Sequence, residues 1–353
     1  MAGACVIGVD LGGTKLLAGV VDADLQVHHR TQRLVPHADT AALLESVCAA
    51  VEEARRAARD EVVGVGFGIA CLMDDRRGVA ATSVHLPVTD LPIADVMRER
   101  IGLPVEVDND ANAAMLVEWR AGAARGATDA VLLTIGTGIG GGLVVSGRLA
   151  RGSIGAGAEL GHMIIDEDGP PCPGGCPGNG CLEAFVSGEA IARAGTQTAV
   201  AQPGSGLGRA LAAGRAVTGP LVTELAWDGD HAALDVVEAC GRHLGAGITS
   251  LVNIFNPSVV VVGGGVIAAG DMLLGPAREV VARRALSPAR GVVEIVPARF
   301  GEEAGMLGAA CMALEAAGLR SPASPAPAER ADDSVVGRRW VAGRPNARRR
   351  VEP

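Results

Sequence analysis

The stretch "ACVIGVDLGGTKLLAGVVD" (residues 4–22) contains two apolar runs on either side of a polar turn with two adjacent glycines. A third, alternating run, "VHHRTQRL", follows at 27–34. Short apolar or alternating runs bounded by turn residues predict strands. We therefore predict a three-stranded meander, followed by a helix whose N-cap is Asp39 or Thr40, because helical spacing of apolar residues begins there.

The same pattern returns at "DAVLLTIGTGIGGGLVVSGRLARG" (129–152), again as strand, glycine turn, strand and polar hairpin turn. A repeated unit of this kind predicts two lobes of related topology. We assign residues 1–118 to an N-terminal lobe and residues 119–319 to a C-terminal lobe.

Residues 320–353 form a segment rich in Pro, Ala and Arg, with eight arginines against four acidic residues. Such a composition cannot bury enough apolar surface to order the chain, so we predict a disordered tail. The alternative is a basic docking peptide anchored by Trp340.

The composition limits the class of function. Hydrophobic residues make up 48% of the chain and aromatic residues only 2%, so the cores must consist of Val, Leu, Ile and Ala, typical of sheets covered by helices. The formal net charge of -9 argues against a nucleic-acid binder, because clustered Lys and Arg neutralise phosphates. No secretion signal and no run of about 18 apolar residues is visible. We therefore predict a cytoplasmic protein without nucleic-acid or membrane partners.

Three glycine-rich loops, each after an apolar strand, predict a phosphate-binding cleft: "DLGGT" (10–14), "GTGIGGG" (136–142) and "GGG" (263–265). Glycine at a strand end lets backbone N–H groups face a phosphate. Neither a P-loop nor a GxGxxG followed by a helix is present, which argues against P-loop NTPases and Rossmann dehydrogenases. Lys15 could bind phosphate or equally face solvent. The candidate phosphate-binding residues are Gly12, Gly13, Thr14, Lys15, Thr137 and Gly138.

Two acidic positions suit phosphoryl transfer. Asp10 ends the first strand beside a glycine turn, where a carboxylate can hold Mg²⁺ directly or through water. In "EVDNDANAA" (106–114), Asp110 begins a helix and can accept the proton of an attacking hydroxyl, while Asn109 can hydrogen-bond a sugar hydroxyl. The alternative for this segment is an N-cap cluster without a catalytic role.

Six segments occur in a characteristic order between about Val6 and Gly318: "GVDLGGTK", "NDANAA", "TIGTGIGGG", "ELGH", "GCLE" and "VVVGGG". Together they resemble the ROK family of repressors and sugar kinases, within the actin-like and hexokinase-like ATPases. The resemblance implies an α/β fold of two RNase H-like lobes, with sugar and ATP in the cleft between them, and a homodimer. It also implies Asp110 as the catalytic base and sugar contacts from Asn109, Glu159, His162 and Glu183.

The segment "AELGHMIIDEDGPPCPGGCPGNGCLEAF" (158–185) concentrates one histidine and three of the eight cysteines. Clustered cysteines in a reducing compartment favour metal binding over disulfides. The resemblance implies a structural zinc held by His162, Cys172, Cys176 and Cys181. Three residues separate the first two cysteines, whereas the family usually has one, and the added glycines can bulge. The alternative is a loop with free thiols.

The resemblance implies transfer of the γ-phosphoryl group of MgATP to the primary (6-) hydroxyl of glucose or a close analogue, with Gly264 and Gly265 near the adenosine. Two departures from the family lie on the sugar side of the first lobe: "GIAC" at 68–71 and His85. They leave open an amino sugar such as kanosamine, or a C7-cyclitol of an antibiotic pathway, as the acceptor. Polyphosphate stays open as donor. A sugar-sensing regulator is disfavoured because the first strand begins too early to leave room for a DNA-binding segment and the candidate base is retained.

Overall fold

A computed structural model describes residues 3–75 and 77–319 of the chain, and the tail predicted at 320–353 lies outside them. In chain order the strands are β1 (Ala4–Leu11), β2 (Lys15–Asp22), β3 (Val27–Leu34), β4 (Glu61–Ile69), β5 (Leu72–Asp74), β6 (Val79–Thr82), β7 (Thr89–Leu91), β8 (Val105–Asn109), β9 (Ala130–Ile135), β10 (Ile139–Val145), β11 (Arg148–Leu149), β12 (Val259–Gly263) and β13 (Glu294–Pro297). The helices are α1 (Thr40–Ala57), α2 (Ile93–Ile101), α3 (Asp110–Ala121), α4 (Glu183–Val186), α5 (Gly188–Ala201), α6 (Gly206–Ala212), α7 (Gly219–Trp227), α8 (His231–Phe255), α9 (Asp271–Arg284) and α10 (Ala304–Ala316).

Two five-stranded sheets share one topology. The first has the order β3-β2-β1-β4-β8 and the second the order β11-β10-β9-β12-β13. In each sheet three antiparallel strands are followed by two parallel ones. The predicted meander and the predicted repetition of the unit are therefore confirmed.

Apolar side chains form three cores. The outer face of the first sheet packs against α1 and α2, and the outer face of the second sheet against α8 and α9. A third core lies between the two sheets and contains α3 and α10. The start of α3, which carries the candidate base, also lies between the lobes, because it faces Gly68 of β4 and Gly140 of β10.

Helix α10 follows the second sheet in the chain but packs against the first. A Cβ atom on Gly8 of β1 would lie 2.9 Å from the Cβ of Ala310, and Gly66 of β4 faces the carbonyl of Ala309. Both strands can approach the helix only because these positions carry no side chain. The domain boundary at 118/119 stays a prediction. Helix α10 falls in the predicted C-terminal lobe by its residue numbers but covers the sheet of the N-terminal lobe.

Several elements are not apparent from the sequence pattern. Strands β5, β6 and β7 form a small antiparallel sheet beside the first lobe. Helices α4 to α7 fill residues 183–227 between the Cys-rich segment and the long helix α8. These short elements lack the extended periodicity on which sequence-based prediction depends.

Candidate functional site

The candidate acids lie along one edge of the first sheet. Asp10 of β1 is paired with Gly68 of β4, which is paired with Asp108 of β8. These three strands are parallel, so their carboxyl ends meet at one edge. The start of α3 follows β8 directly, which places Asp110 at the same edge. A Cβ on Gly68 would lie 3.4 Å from the Cα of Asp110, so the glycine makes room for the helix start.

Asp110 is the first residue of α3 and one of its carboxylate oxygens, Oδ1, accepts the N–H of Ala111 at 2.9 Å. Burial raises the pKa of Asp110, and the backbone hydrogen bond and the imidazole of His85 oppose this shift. A carboxyl group whose pKa is raised in this way is a better proton acceptor once ionised. The geometry thus suits the predicted general base.

Asn109 is the N-cap of α3. Its side-chain oxygen accepts the N–H groups of Ala111 at 2.9 Å and Asn112 at 3.2 Å, and its amide donates to the carbonyl of Cys71 at 3.1 Å. The structure therefore gives Asn109 the capping role that was the alternative prediction. One N–H of its amide remains for a ligand, and its contact with sugar stays a prediction.

Asp10 shares its surroundings with Asp110. Burial, and next the negative charge of Asp110, raise the pKa of Asp10 to about 7. Gly305, beside the start of α10, faces this carboxyl group, because a Cβ there would lie 2.5 Å from the Asp10 Cγ. Two carboxyl groups whose charges interact in this way favour a cation nearby or the protonation of one of them.

The predicted sugar-binding acids are brought together with Asp110. Burial raises the pKa of Glu159; His162 opposes this shift, whereas Asp110 and Glu183 add to it. The Nε2 atom of His162 lies 3.9 Å from Oε2 of Glu159. Residues far apart in the sequence thus lie close enough for the charges of Asp110 and Glu183 to raise the pKa of Glu159.

The Cys-rich segment forms a compact group of metal-ligand types. One ligand atom from each of His162, Cys172, Cys176 and Cys181 lies within 4.8 Å of the others. The distance from Nδ1 of His162 to Sγ of Cys172 is 3.4 Å, and Sγ of Cys176 and Cys181 are 3.6 Å apart. Nδ1 faces the cysteines while Nε2 faces Glu159. The group could hold a metal ion.

Glu183 connects this cluster to the second glycine loop. Its Oε2 accepts the N–H of Ile139 at 2.6 Å in a buried hydrogen bond, and its Oε1 lies 3.8 Å from Sγ of Cys172. Gly138 leaves the space for this carboxylate, since a Cβ there would lie 2.6 Å from Oε2. The Glu183 side chain is almost fully buried, and its predicted sugar contact stays a prediction.

The second and third glycine loops lie next to each other. Gly136 donates to the carbonyl of Gly138 at 2.9 Å and accepts the N–H of Gly188, the first residue of α5, at 2.8 Å. Gly264 has φ of +82°, and a Cβ there would lie 2.6 Å from backbone atoms of Ile135 at the end of β9. Gly265 follows with open space around it. This arrangement suits the predicted nucleotide side of the cleft, and Thr137 lies between Gly136 and Gly138 of the second loop.

The first glycine loop is a tight turn between β1 and β2. Gly12 donates to the carbonyl of Lys15 at 3.1 Å, and the carbonyl of Thr14 accepts the N–H of Val35 at 3.0 Å. Gly13 packs against His85. The Lys15 side chain is exposed at the start of β2, which leaves its role open.

One site feature was missed in the sequence. Arg151, which follows β11, pairs its Nε with Oδ2 of Asp108 at 2.7 Å and so links the two lobes beside the candidate base. His85, which the sequence singled out as a departure from the family, lies against Gly13 of the first glycine loop and lowers the pKa of Asp110. The segment "VDND" (107–110) contains three polar residues. No local sequence pattern indicates which of them pairs with a residue of the other lobe.

The profile of the ROK family matches residues 6–316. The chain belongs to the ROK family. The glucokinase of Streptomyces coelicolor is 36% identical to it over 318 residues, which cover 88% of this chain and 97% of that relative. A ROK glucokinase from Streptomyces griseus, solved with glucose and AMPPNP, has a TM-score of 0.79 at 35% identity and covers 88% of this chain and 99% of that one. ROK hexokinase from Thermus thermophilus has a TM-score of 0.70 at 36% identity, covering 89% and 99%.

These matches confirm the predicted family and the two-lobed α/β fold. This ROK protein is a phosphotransferase that acts on a sugar hydroxyl. Within the described residues, no helix is both long and apolar enough to cross a membrane.

Proposed function

We propose that this ROK protein is an ATP-dependent kinase that phosphorylates the primary (6-) hydroxyl of glucose. The Streptomyces coelicolor relative is named a glucokinase, and the Streptomyces griseus structure contains glucose and a nucleotide analogue. One observation in this chain carries the proposal. Asp110, with its pKa raised by burial, begins a helix whose first turn lies against the second glycine-rich loop, and its charge raises the pKa of the half-buried Asp10.

The chain's own residues supply positioning and proton transfer. Asp110 accepts the proton of the sugar hydroxyl as that oxygen attacks the γ-phosphorus. Glu159 and Nε2 of His162 hold ring hydroxyls on one side of Asp110, and the loops at Gly12 and Gly138 hold the phosphates. In-line positioning and charge stabilisation account for most of the catalysis in phosphoryl transfer.

Asp10 fits the role of a Mg²⁺ ligand. Its pKa of about 7, raised by burial and by Asp110, shows that an ionised pair here is costly unless a cation is nearby. Mg²⁺ bound to ATP uses few protein carboxylates and keeps several waters. When bound, it would neutralise charge on the transferring phosphates.

We also propose that the Cys-rich cluster holds a structural Zn²⁺. One imidazole nitrogen and three thiolates form a closed tetrahedral donor set. Tetrahedral coordination with Zn–S bonds of about 2.3 Å separates two sulfurs by about 3.8 Å, close to the 3.6 Å between Cys176 and Cys181. The ion would fix the tautomer of His162 and so direct Nε2 toward the sugar.

A coupled ADP-release assay tests the proposed function. Glucose, glucosamine, kanosamine, N-acetylmannosamine, fructose and a valienol-type cyclitol are compared by kcat/KM, and ³¹P NMR of the product identifies the phosphorylated hydroxyl. We expect glucose to lead and the 6-phosphate to form. A kcat/KM for kanosamine tenfold above that for glucose corresponds to about 1.4 kcal/mol of differential transition-state binding. This result would identify the protein as an amino-sugar kinase instead.

The same assay separates the remaining alternatives. Replacing ATP by polyphosphate tests the donor, and a sugar-dependent change in DNA retention without ADP release would identify a regulator. Light scattering tests the proposed homodimer, for which we expect a mass of twice the 35.5 kDa of one chain. A cytoplasmic location stays a prediction.

A further inference from the structure

Residues Ser83 to Leu86 of the first lobe form a loop that one hydroxyl holds in place. Ser83 Oγ donates to the carbonyl of Ala70 at 2.6 Å and accepts the N–H groups of His85 and Leu86 at 3.0 Å each. Since Cys71, the next residue after Ala70, accepts from Asn109, the loop is tied to the segment that begins α3. The backbone of His85 is therefore fixed relative to Asp110.

His85 lies against the first glycine turn. A Cβ on Gly13 would lie 2.7 Å from the Cβ of His85 and 3.6 Å from its Nδ1. His85 is exposed, so its ring is not packed into a core. Among the described residues, no side chain forms a hydrogen bond with its ring nitrogens.

His85 also lies close to the candidate base. Burial raises the pKa of Asp110, and backbone hydrogen bonds and the nearby His85 oppose this shift. The imidazole thus lies against the turn that is proposed to hold the donor phosphates, and it affects the pKa of the proposed base. The phosphoryl group must cross the space between these two sites.

This space contains more negative than positive groups. Asp10, Asp110 and Glu159 all border it, and the nearby Arg151 already pairs with Asp108. A phosphoryl group in transit carries negative charge on three oxygens, and preorganised donors aimed at such charge contribute strongly to catalysis.

We propose that His85 is a catalytic residue that donates a ring N–H hydrogen bond to a non-bridging oxygen of the γ-phosphoryl group during transfer. This inference rests on the proposed kinase function. The bond from γ-phosphorus to the β–γ bridging oxygen breaks, and its electron pair leaves with ADP. A bond from the acceptor oxygen to phosphorus forms, and the acceptor proton goes to Asp110. His85 gains and loses no proton.

The test compares His85→Ala and His85→Asn with His28→Ala as the control. Asn keeps an N–H donor, whereas Ala removes it. His28 is an exposed histidine of β3, paired with Asp22. We expect kcat to fall about 100-fold in His85→Ala, with the KM values for sugar and ATP within about twofold, and to fall less than tenfold in His85→Asn. The control keeps wild-type kinetics.

A binding measurement gives a readout that does not depend on turnover. Aluminium fluoride with MgADP and glucose imitates the transferring phosphoryl group. We expect His85→Ala to weaken this complex at least tenfold while its affinity for MgADP alone is unchanged. A change confined to the sugar KM would assign His85 to acceptor recognition instead, and wild-type kcat in His85→Ala would overturn the proposal.

The outcomes separate this inference from the proposed function. If the wild-type protein releases no ADP with any sugar, the proposed kinase function fails. If the wild type turns over and His85→Ala equals it, only the role of His85 fails. A far-UV circular dichroism spectrum and a melting curve show whether each variant is folded.

Discussion

The pair between Asp108 and Arg151 joins the two lobes next to the candidate base, and its removal should destabilise the protein. Asp108 is only 3% exposed and accepts three hydrogen bonds: Arg151 Nε at 2.7 Å, Asn112 Nδ2 at 2.9 Å and the N–H of Asn109 at 2.8 Å. Arg151→Met keeps much of the side-chain volume but leaves the carboxylate without its cation. Sequence pattern alone gives no hint of this partner.

Removing one partner of a buried ion pair costs about 3–5 kcal/mol. Arg151 is 37% exposed and two hydrogen bonds to Asp108 remain. Because solvent screens the exposed arginine, we expect a loss at or below the lower end of that range, about 2–3 kcal/mol in the free energy of unfolding. The matched control is Arg98→Met, which removes an exposed pair with Asp95 and should cost about 0.5 kcal/mol or less.

Urea unfolding followed by circular dichroism measures both losses. Adding Asp108→Asn to Arg151→Met should recover part of the stability, because the unpaired charge disappears. The reasoning is refuted if Arg151→Met costs no more than Arg98→Met, or if the double variant is less stable than Arg151→Met alone.

Three further predictions concern the cleft. Cys176→Ser should lower the zinc content measured by mass spectrometry and raise the sugar KM, because His162 loses the ion that orients it; full zinc occupancy would contradict the ligand assignment. Gly138→Ala puts a Cβ 2.6 Å from Oε2 of Glu183 and should displace that carboxylate from the Ile139 N–H, at a cost of about 1–3 kcal/mol in the free energy of unfolding. The control Gly136→Ala adds a Cβ in open space and should cost little. Equal melting temperatures of the two variants would contradict this prediction. Asp110→Asn should be more stable than the wild type at pH 8 in Mg²⁺-free buffer. Burial raises the pKa of Asp110 in the folded protein, so the stability of the wild type falls as the pH rises above the pKa of about 3.9 that an aspartate has in the unfolded chain. The gain should vanish near pH 3, and a gain independent of pH would contradict the electrostatic cause.

Local patterns determined much of the fold. The meander of β1 to β3 and its repetition from β9 follow from short apolar runs and glycine turns, both of which act over a few residues. The N-cap of α1 is Asp39, whose side chain accepts the N–H of Ala42 at 2.8 Å, as its residue type predicts. The Cys-rich group was predictable because its four candidate ligands, one histidine and three cysteines, lie within a short segment.

Long-range contacts could not be predicted in this way. Helix α10 packs on the first sheet because Gly8 and Gly66 carry no side chains, and nothing near residue 304 signals those partners. The sequence does not show that the Asn109 amide donates to the carbonyl of Cys71, or that the Glu183 carboxylate accepts the N–H of Ile139. The environment that raises the pKa of Asp110 likewise depends on burial, which only the assembled lobes create.

The central claim is that Asp110 accepts the proton of a glucose hydroxyl during phosphoryl transfer. The most direct measurement compares Asp110→Asn with the wild type in glucose-dependent ADP release, together with glucose binding by calorimetry. We predict that kcat falls by about 10²–10⁴ while the Kd for glucose changes less than about threefold, since Asn keeps the shape and a hydrogen-bonding oxygen. Near-normal kcat in the folded variant would contradict the account.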